Sequence, residues 1–284
     1  MPELPEVEVL CQHLSPLLLG RRIEAVEVRR AKVLRPTGPT EFVGRLTGAC
    51  FRQLTRRGKY LLFGLESNAG QAPFTMLGHL GLTGRMYLLP AEAPLPKHAA
   101  VVLGLGQAKF VFEDTRYFGR LTLDTRAWAQ LGPEPLGPGF TVEYFRHALR
   151  RSGQAVKVKL LDQGLVAGIG NLYASEALFR AGISPRRPAR KLTRRQAGQL
   201  RRAVRAVLAE AIRRGSTVPL NWSGVGGRDR FFYYGTAPVQ PAAYRERLGV
   251  YDRAGEPCRR CGTSIRRIIQ AGRSTFFCPH CQRG

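Results

Sequence analysis

The chain opens MPELPEVEVL, and its first two residues after Met1 have chemistry available before any element has formed. With Met1 removed, Pro2 presents a free secondary amine, and Glu3 places a carboxyl next to it. An α-amine titrates at about 8, roughly two units below a lysine. An appreciable fraction is therefore neutral and nucleophilic at cellular pH. With Met1 retained, the Pro2 nitrogen is a tertiary amide without an available lone pair, so reactivity here requires methionine removal. The plainer reading of the same stretch is a helix start, in which Glu3 and Glu6 complement the helix dipole. These residues alone leave both readings open.

A second group lies at the other end. Cys258, Cys261, Cys278 and Cys281 form a C-x2-C-x16-C-x2-C pattern within the last 27 residues. Two such knuckles supply four thiolates in a tetrahedron, as in a zinc ribbon. Two disulfides are the alternative, and a reducing cytoplasm disfavours them. One Zn2+ with four protein ligands has no open position, so the metal is expected to be structural. The hairpin it would display, SIRRIIQAGRSTFF, offers Arg266, Arg267 and Arg273 to phosphate. Cys11 and Cys50 read as buried free thiols. Between the two ends, LVAGIGNLYASEALFRAGI sets a glycine-rich turn before Asn171 and an apolar-periodic helix. Amides at that helix start, with Asn171 beside them, suit an anion; an ordinary N-cap is the competing reading.

Positioning these groups falls to a chain of 284 residues that is 44% hydrophobic, enough for one large domain or two ordinary ones with a real core. No apolar run approaches the roughly 18 residues that span a bilayer. The first residues carry glutamates where a secretory signal carries lysines, so a cytoplasmic address is expected. A net charge of +25 points to a polyanionic partner, nucleic acid first. Residues 141–284 hold 28 Lys/Arg against 8 Asp/Glu, so most of the phosphate affinity lies in the second half. The preponderance of arginine fits either a GC-rich genome or bidentate phosphate contacts.

From Leu4 to Leu19 the apolar residues recur at helical intervals, with Gly20 as a stop. Residues 23–123 then run as short β-rich segments such as KYLLFGL and KFVFED between Gly/Pro turns. LGPEPLGPGF, residues 131–140, has linker composition. Beyond it TRRQAGQLRRAVRAVLAEAIRRG predicts a helix with Thr193 and Gln196 at capping-box spacing and Gly215 as its end. The arginines of this helix lie on the face opposite its apolar stripe and read as a solvated surface. Residues 216–248 read as a long loop, functional or mobile.

Together PELPEVE, GIGNLYASE, and CRRC with CPHC resemble three motifs of the formamidopyrimidine-DNA glycosylase family, in the family's order. GPEPL, GEPC and RSTFFCPHCQ add to the resemblance, which covers nearly the whole chain. The resemblance implies an α+β multidomain fold: an N-terminal helix plus β-sandwich over 1–132, a linker at 133–140, a helix-two-turns-helix domain over 141–248, and a zinc ribbon over 249–284. It also implies a monomer without membrane attachment that acts on double-stranded DNA containing oxidised bases or abasic sites. The expected activity is excision of formamidopyrimidines and 8-oxoguanine, followed by strand cleavage by β,δ-elimination.

The resemblance assigns roles to positions of this chain. Pro2 attacks the sugar C1′ and leaves an iminium, the electron sink for both eliminations. Glu3 is the general acid and proton shuttle at the sugar, for which a raised pKa is expected. Lys59, at the end of a β-strand, contacts phosphate and assists catalysis, as does Arg273 from the zinc hairpin. His79, Lys157 (with Lys159 close by) and Asn171 contact phosphates, and Glu6 lies near the lesion pocket. Arg116 and Phe118 fill the gap left by an everted base. The family's third wedge, a methionine, is Leu82 here, from which an altered preference for the opposite base is expected. Segment 216–248 also departs from the family's shorter loop over the everted base. The other readings are an endonuclease VIII-like enzyme for oxidised pyrimidines and a non-catalytic zinc-ribbon binder of nucleic acid. A pure binder needs neither Pro2 nor Glu3.

Overall fold

The computed structural model describes residues 2–67, 72–215 and 248–283. The loop expected at 216–248 therefore lies outside the described residues, apart from Leu248. The chain divides into two compact units, one containing Val7–Gln130 and the other containing Glu3–Glu6 with Leu131–Gly284.

In the first unit, helix α1 (Leu4–Leu18) continues from Val7 and is followed by β1 (Ala25–Val28) and α2 (Pro39–Leu46). Seven strands come next: β2 (Cys50–Arg57), β3 (Tyr60–Glu66), β4 (Phe74–His79), β5 (Gly84–Pro90), β6 (Ala99–Gly104), β7 (Ala108–Asp114) and β8 (Arg120–Thr122). They form two antiparallel sheets of order β1-β6-β7-β5 and β2-β3-β4-β8. Along β3, Leu61, Phe63 and Leu65 are buried while their neighbours are not, the period-2 pattern of a strand facing a core on one side. Phe63 meets Phe110 of the other sheet edge-on at 5.8 Å, and a β-sandwich results. Two connections cross between the sheets at one end. β4 ends at His79 and β5 begins at Gly84, while β7 ends at Asp114 and β8 begins at Arg120. The registers pair Gly84 with Asp114 and His79 with Arg120, so segments 80–83 and 115–119 run side by side.

The second unit begins after a short α3 (Arg126–Ala129) and is helical: α4 (Val142–Arg150), α5 (Val156–Leu160), α6 (Asn171–Ala181) and α7 (Arg194–Arg213). The capping box of α7 is present, with Thr193 accepting from the Gln196 amide and Gln196 from the Thr193 amide. Phe140, Phe145, Leu160, Tyr173, Leu200 and Leu208 share one buried cluster, and Leu4 from the chain's start joins it. The arginines of α7 are not uniformly a solvated face. Arg205 donates to the carbonyls of Pro135 and Gly137 at 2.8 and 3.1 Å, and Arg201 to that of Phe140. They satisfy the carbonyls of the Pro/Gly stretch, which has few partners of its own.

The last element is a hairpin of β9 (Arg266–Gln270) and β10 (Arg273–Phe277). Val250, Ile265 and Phe276 pack with Phe179 of α6 around Cys258 and Cys278. Glu176 of α6 accepts the amides of Gly249, Val250 and Tyr251 at 2.8–2.9 Å, which fixes the entry of the module. Among the described residues no helix is long and apolar enough to cross a membrane.

Candidate active site and zinc centre

Glu3 is buried, and its carboxylate sits on the N-terminus of α6. Oε2 accepts the amides of Gly170 and Tyr173 at 2.7 and 3.3 Å, and Oε1 that of Leu172 at 2.8 Å. These amides are among the orphan donors of a helix start, and the dipole there favours a negative charge. The anion expected at GIGN is therefore Glu3 itself, because the chain supplies its own carboxylate from 167 residues away. Gly170 is required for this close approach: a Cβ on it would lie 2.3 Å from the Glu3 carboxyl carbon.

Glu6 is buried beside Glu3. Its Oε2 accepts the Glu3 backbone N–H, and its Oε1 accepts the hydroxyl of Tyr173, both at 2.7 Å. Burial, and then the neighbouring Glu3 charge, push the Glu6 carboxyl up to about 7. Tyr173 stands inside GIGNLYASE, but nothing in the local sequence signals a partner at Glu6.

Asn171 is the first residue of α6, not its N-cap, which is Gly170. Its Nδ2 donates to the Ser274 carbonyl of β10 at 2.8 Å, and its Oδ1 accepts the Lys157 ammonium. Lys157 is fully buried, and burial together with the Arg273 charge lowers it to about 8 against the opposing pull of Glu3. Lys157, Asn171, Arg273 and Glu3 thus act on one another within one unit, and Lys157 is the lysine engaged there. Lys159 pairs with Asp162 at 2.7 Å instead.

The other site residues belong to the first unit. Pro2 is half-buried. Lys59 lies in the two-residue turn between β2 and β3, where Arg57 pairs with Tyr60, rather than at a strand end. It is nevertheless buried. Tyr60 pairs with His79 across β3 and β4, with ring centroids 4.8 Å apart. Burial and the charges of Lys59 and Arg120 lower His79 to about 4. The Gly81 amide donates to its Nδ1 at 3.1 Å, so the proton of the neutral ring is on Nε2 and can be donated. His79 should therefore carry no charge between pH 6 and 8, and its ring signals in an NMR titration should stay unmoved above about pH 5. Its folded pKa is below the unfolded value of about 6.5. The associated stability is complete above that value and is lost as pH falls from there toward about 4. A His79 ring that titrates above pH 6 would contradict this environment.

Leu82 and Phe118 stand out at 42% and 47% exposure, unusual for apolar side chains of this size. Arg116 lies over the Phe118 ring at 4.7 Å.

The four cysteine sulfurs lie within 4.8 Å of one another. Sγ separations of 3.4, 3.5 and 3.9 Å are those between Cys261 and Cys281, Cys261 and Cys278, and Cys258 and Cys281. A tetrahedron with Zn–S bonds of about 2.3 Å has edges of roughly 3.8 Å, so the set fits one zinc ion with every position filled by protein. The metal is structural, as the spacing predicts.

A sandwich, a helical domain seated on the chain's own start and a four-thiolate hairpin, on a chain of charge +25, define a multidomain nucleic-acid-binding protein. Family models agree along the length: the formamidopyrimidine-DNA glycosylase N-terminal domain over residues 1–121, its H2TH domain over 131–220, and a zinc finger found in FPG and IleRS over 255–284. The formamidopyrimidine-DNA glycosylase of Carboxydothermus hydrogenoformans is 39% identical over the full length of both chains. Two solved structures match 100% of both chains. One is a variant of the Lactococcus lactis enzyme with DNA containing Fapy-dG, at 31% identity and a TM-score of 0.86. The other is a relative with DNA containing carbocyclic 8-oxo-G, at 32% identity and a TM-score of 0.85. This chain belongs to the formamidopyrimidine-DNA glycosylase family.

Proposed function

We propose that this protein removes formamidopyrimidine and 8-oxoguanine from duplex DNA and then cleaves the strand at the abasic site, with Pro2 as nucleophile and Glu3 as proton carrier. The carrying observation is the Glu3 carboxylate, fixed on three α6 amides one peptide bond from Pro2. The lone pair of the neutral Pro2 amine forms a bond to C1′ as the bond to the base breaks, and the base leaves with the electron pair. The proton then shed by the Pro2 nitrogen passes to Glu3, which returns it to the sugar ring oxygen as the ring opens to an iminium. The cation withdraws electrons so that the C2′ proton and the 3′ phosphate leave, followed by the 5′ phosphate.

As an acceptor-only carboxylate Glu3 matches three N–H donors, and it gains its proton from the reaction itself. Arg273, Lys59 and the Nε2–H of His79 contact phosphates. Lys157 and Asn171 take part through the network that ties α6 to β10. Leu82, Arg116 and Phe118 occupy the space of the everted nucleotide, and Glu6 sets the Glu3 backbone beside the lesion. A chromosomal duplex substrate supports a cytoplasmic, nucleoid-associated enzyme, and action as a monomer is part of the same proposal. Borohydride added during incubation with an 8-oxoguanine duplex should reduce the iminium to a stable covalent DNA adduct. Absence of an adduct from protein shown by mass spectrometry to begin at Pro2 would overturn the reading.

A further inference from the structure

Leu82 and Phe118 are carried by different connections, yet nothing in the sequence near either explains how two exposed tips hold one geometry. The two sheet registers set segments 80–83 and 115–119 alongside each other. Their backbones touch: a Cβ on Gly81 would lie 2.6 Å from the Gly119 nitrogen and 2.7 Å from the Phe118 carbonyl carbon. Beneath them Asp114, the last residue of β7, is fully buried. Its Oδ1 accepts the Thr83 hydroxyl at 2.5 Å and the Arg116 amide at 3.1 Å, and its Oδ2 accepts the Gly119 amide at 2.7 Å. One carboxylate therefore binds the residue after Leu82 and brackets the loop that bears Arg116 and Phe118. His79 is tied to the same assembly through the Gly81 amide.

We infer that Asp114 and Thr83 are positioning residues that lock the two connections into a single insertion unit, so that Leu82 and Phe118 enter the duplex together. This rests on the assignment of Leu82, Arg116 and Phe118 as the groups that fill the gap. Charge-assisted hydrogen bonds to a buried carboxylate are the strong ones, and short exposed connections would otherwise sample many conformations. Three donors on one carboxylate make the wedge geometry a property of the sandwich.

Thr83→Val keeps the shape and removes only the cross-connection bond, while Thr83→Ser keeps the hydroxyl. On an 8-oxoguanine duplex, single-turnover excision by Thr83→Val should fall roughly tenfold, the loss expected for a hydrogen bond to a charged group. Discrimination between bases opposite the lesion should flatten, and the fluorescence rise of 2-aminopurine placed opposite the lesion should weaken. Thr83→Ser should behave as wild type, and borohydride trapping on a single-stranded abasic oligonucleotide, which has no stack to open, should be unchanged in both. Wild-type duplex excision and discrimination by Thr83→Val would overturn the lock, as would an equal loss on the single strand. Leu82→Ala and Phe118→Ala test the underlying assignment separately. If they leave duplex excision intact, the wedge assignment fails. If they impair it and Thr83→Val does not, only the lock fails.

Discussion

Glu3→Gln is expected to slow excision of 8-oxoguanine from duplex DNA by about 10²–10⁴-fold, the contribution of a positioned acid–base group, with DNA affinity within a few-fold of wild type. Glutamine matches the shape but has one acceptor oxygen, and its NH2 group would face an amide donor of Gly170 or Leu172. A buried donor left unpaired costs about 1–3 kcal/mol, so the melting temperature should also fall by several degrees. Gly170→Ala reaches the same place by another route. Its φ of −128° is open to any residue, but the new Cβ would occupy space within 2.3 Å of the Glu3 carboxyl carbon. The carboxyl stays in the protein and leaves its seat. Single-turnover rates for both variants, read beside their melting temperatures, separate chemistry from folding. A wild-type rate for Glu3→Gln would remove Glu3 from proton transfer, and a wild-type rate for Gly170→Ala would show that its seat on α6 is dispensable.

Removal of zinc is expected to abolish specific DNA binding. The hydrophobic cluster around Cys258 and Cys278 has only a handful of members, among them Phe179, Val250, Ile265 and Phe276, too few to stand without a staple. Structural zinc in small modules contributes about 10–16 kcal/mol of folding free energy at neutral pH. Its loss should release β9 and β10, and with them the Ser274 carbonyl that Asn171 and Lys157 contact. A strong chelator, or Cys258→Ser, should reduce affinity for an abasic duplex by at least two orders of magnitude while most far-UV circular dichroism remains. Metal analysis, binding titration and readdition of Zn2+ to the chelated protein check this. Full affinity in metal-free protein would show that the hairpin folds on its hydrophobic contacts alone.

How much of this was legible beforehand varies with the range of the interaction. The helix expected from Leu4 to Leu19 runs Leu4–Leu18, and the α7 capping box lies at Thr193 and Gln196, because both signals are local and periodic. Cysteine spacing likewise carries its ligand geometry within a few residues. By contrast, the GIGN amides bind Glu3 across a separation that no motif spacing can encode. Resemblance supplied Glu3, and the sequence alone suggested an external anion. Lys59 sits in a turn because Gly58 and Lys59 form the two-residue link that the register of β2 with β3 leaves over. Arg201 and Arg205 read as solvent-facing from helical periodicity, which is blind to carbonyls of a linker some 60–70 residues earlier. Asp114 carries no signal of its own within DTRYFG, because its work depends on two ladder registers at once.

The burial of Leu4 in the helical cluster, with its amide bonded to the Gly168 carbonyl at 3.0 Å, bears on how this protein can be cut and rejoined. A polypeptide beginning at Leu131 would contain every helix from α4 onward and still lack part of its own interior: a leucine-sized void and unmatched amides at Gly170, Leu172 and Tyr173. The opening residues therefore behave toward that half as a bound peptide does toward its receptor. A short synthetic peptide with the sequence PELPEVEV, added in trans, should stabilise such a fragment by an amount that rises with the logarithm of peptide concentration above its Kd. The end of the chain proposed to carry the chemistry is then also a folding ligand, and selection on catalysis and on stability would fall on the same few residues.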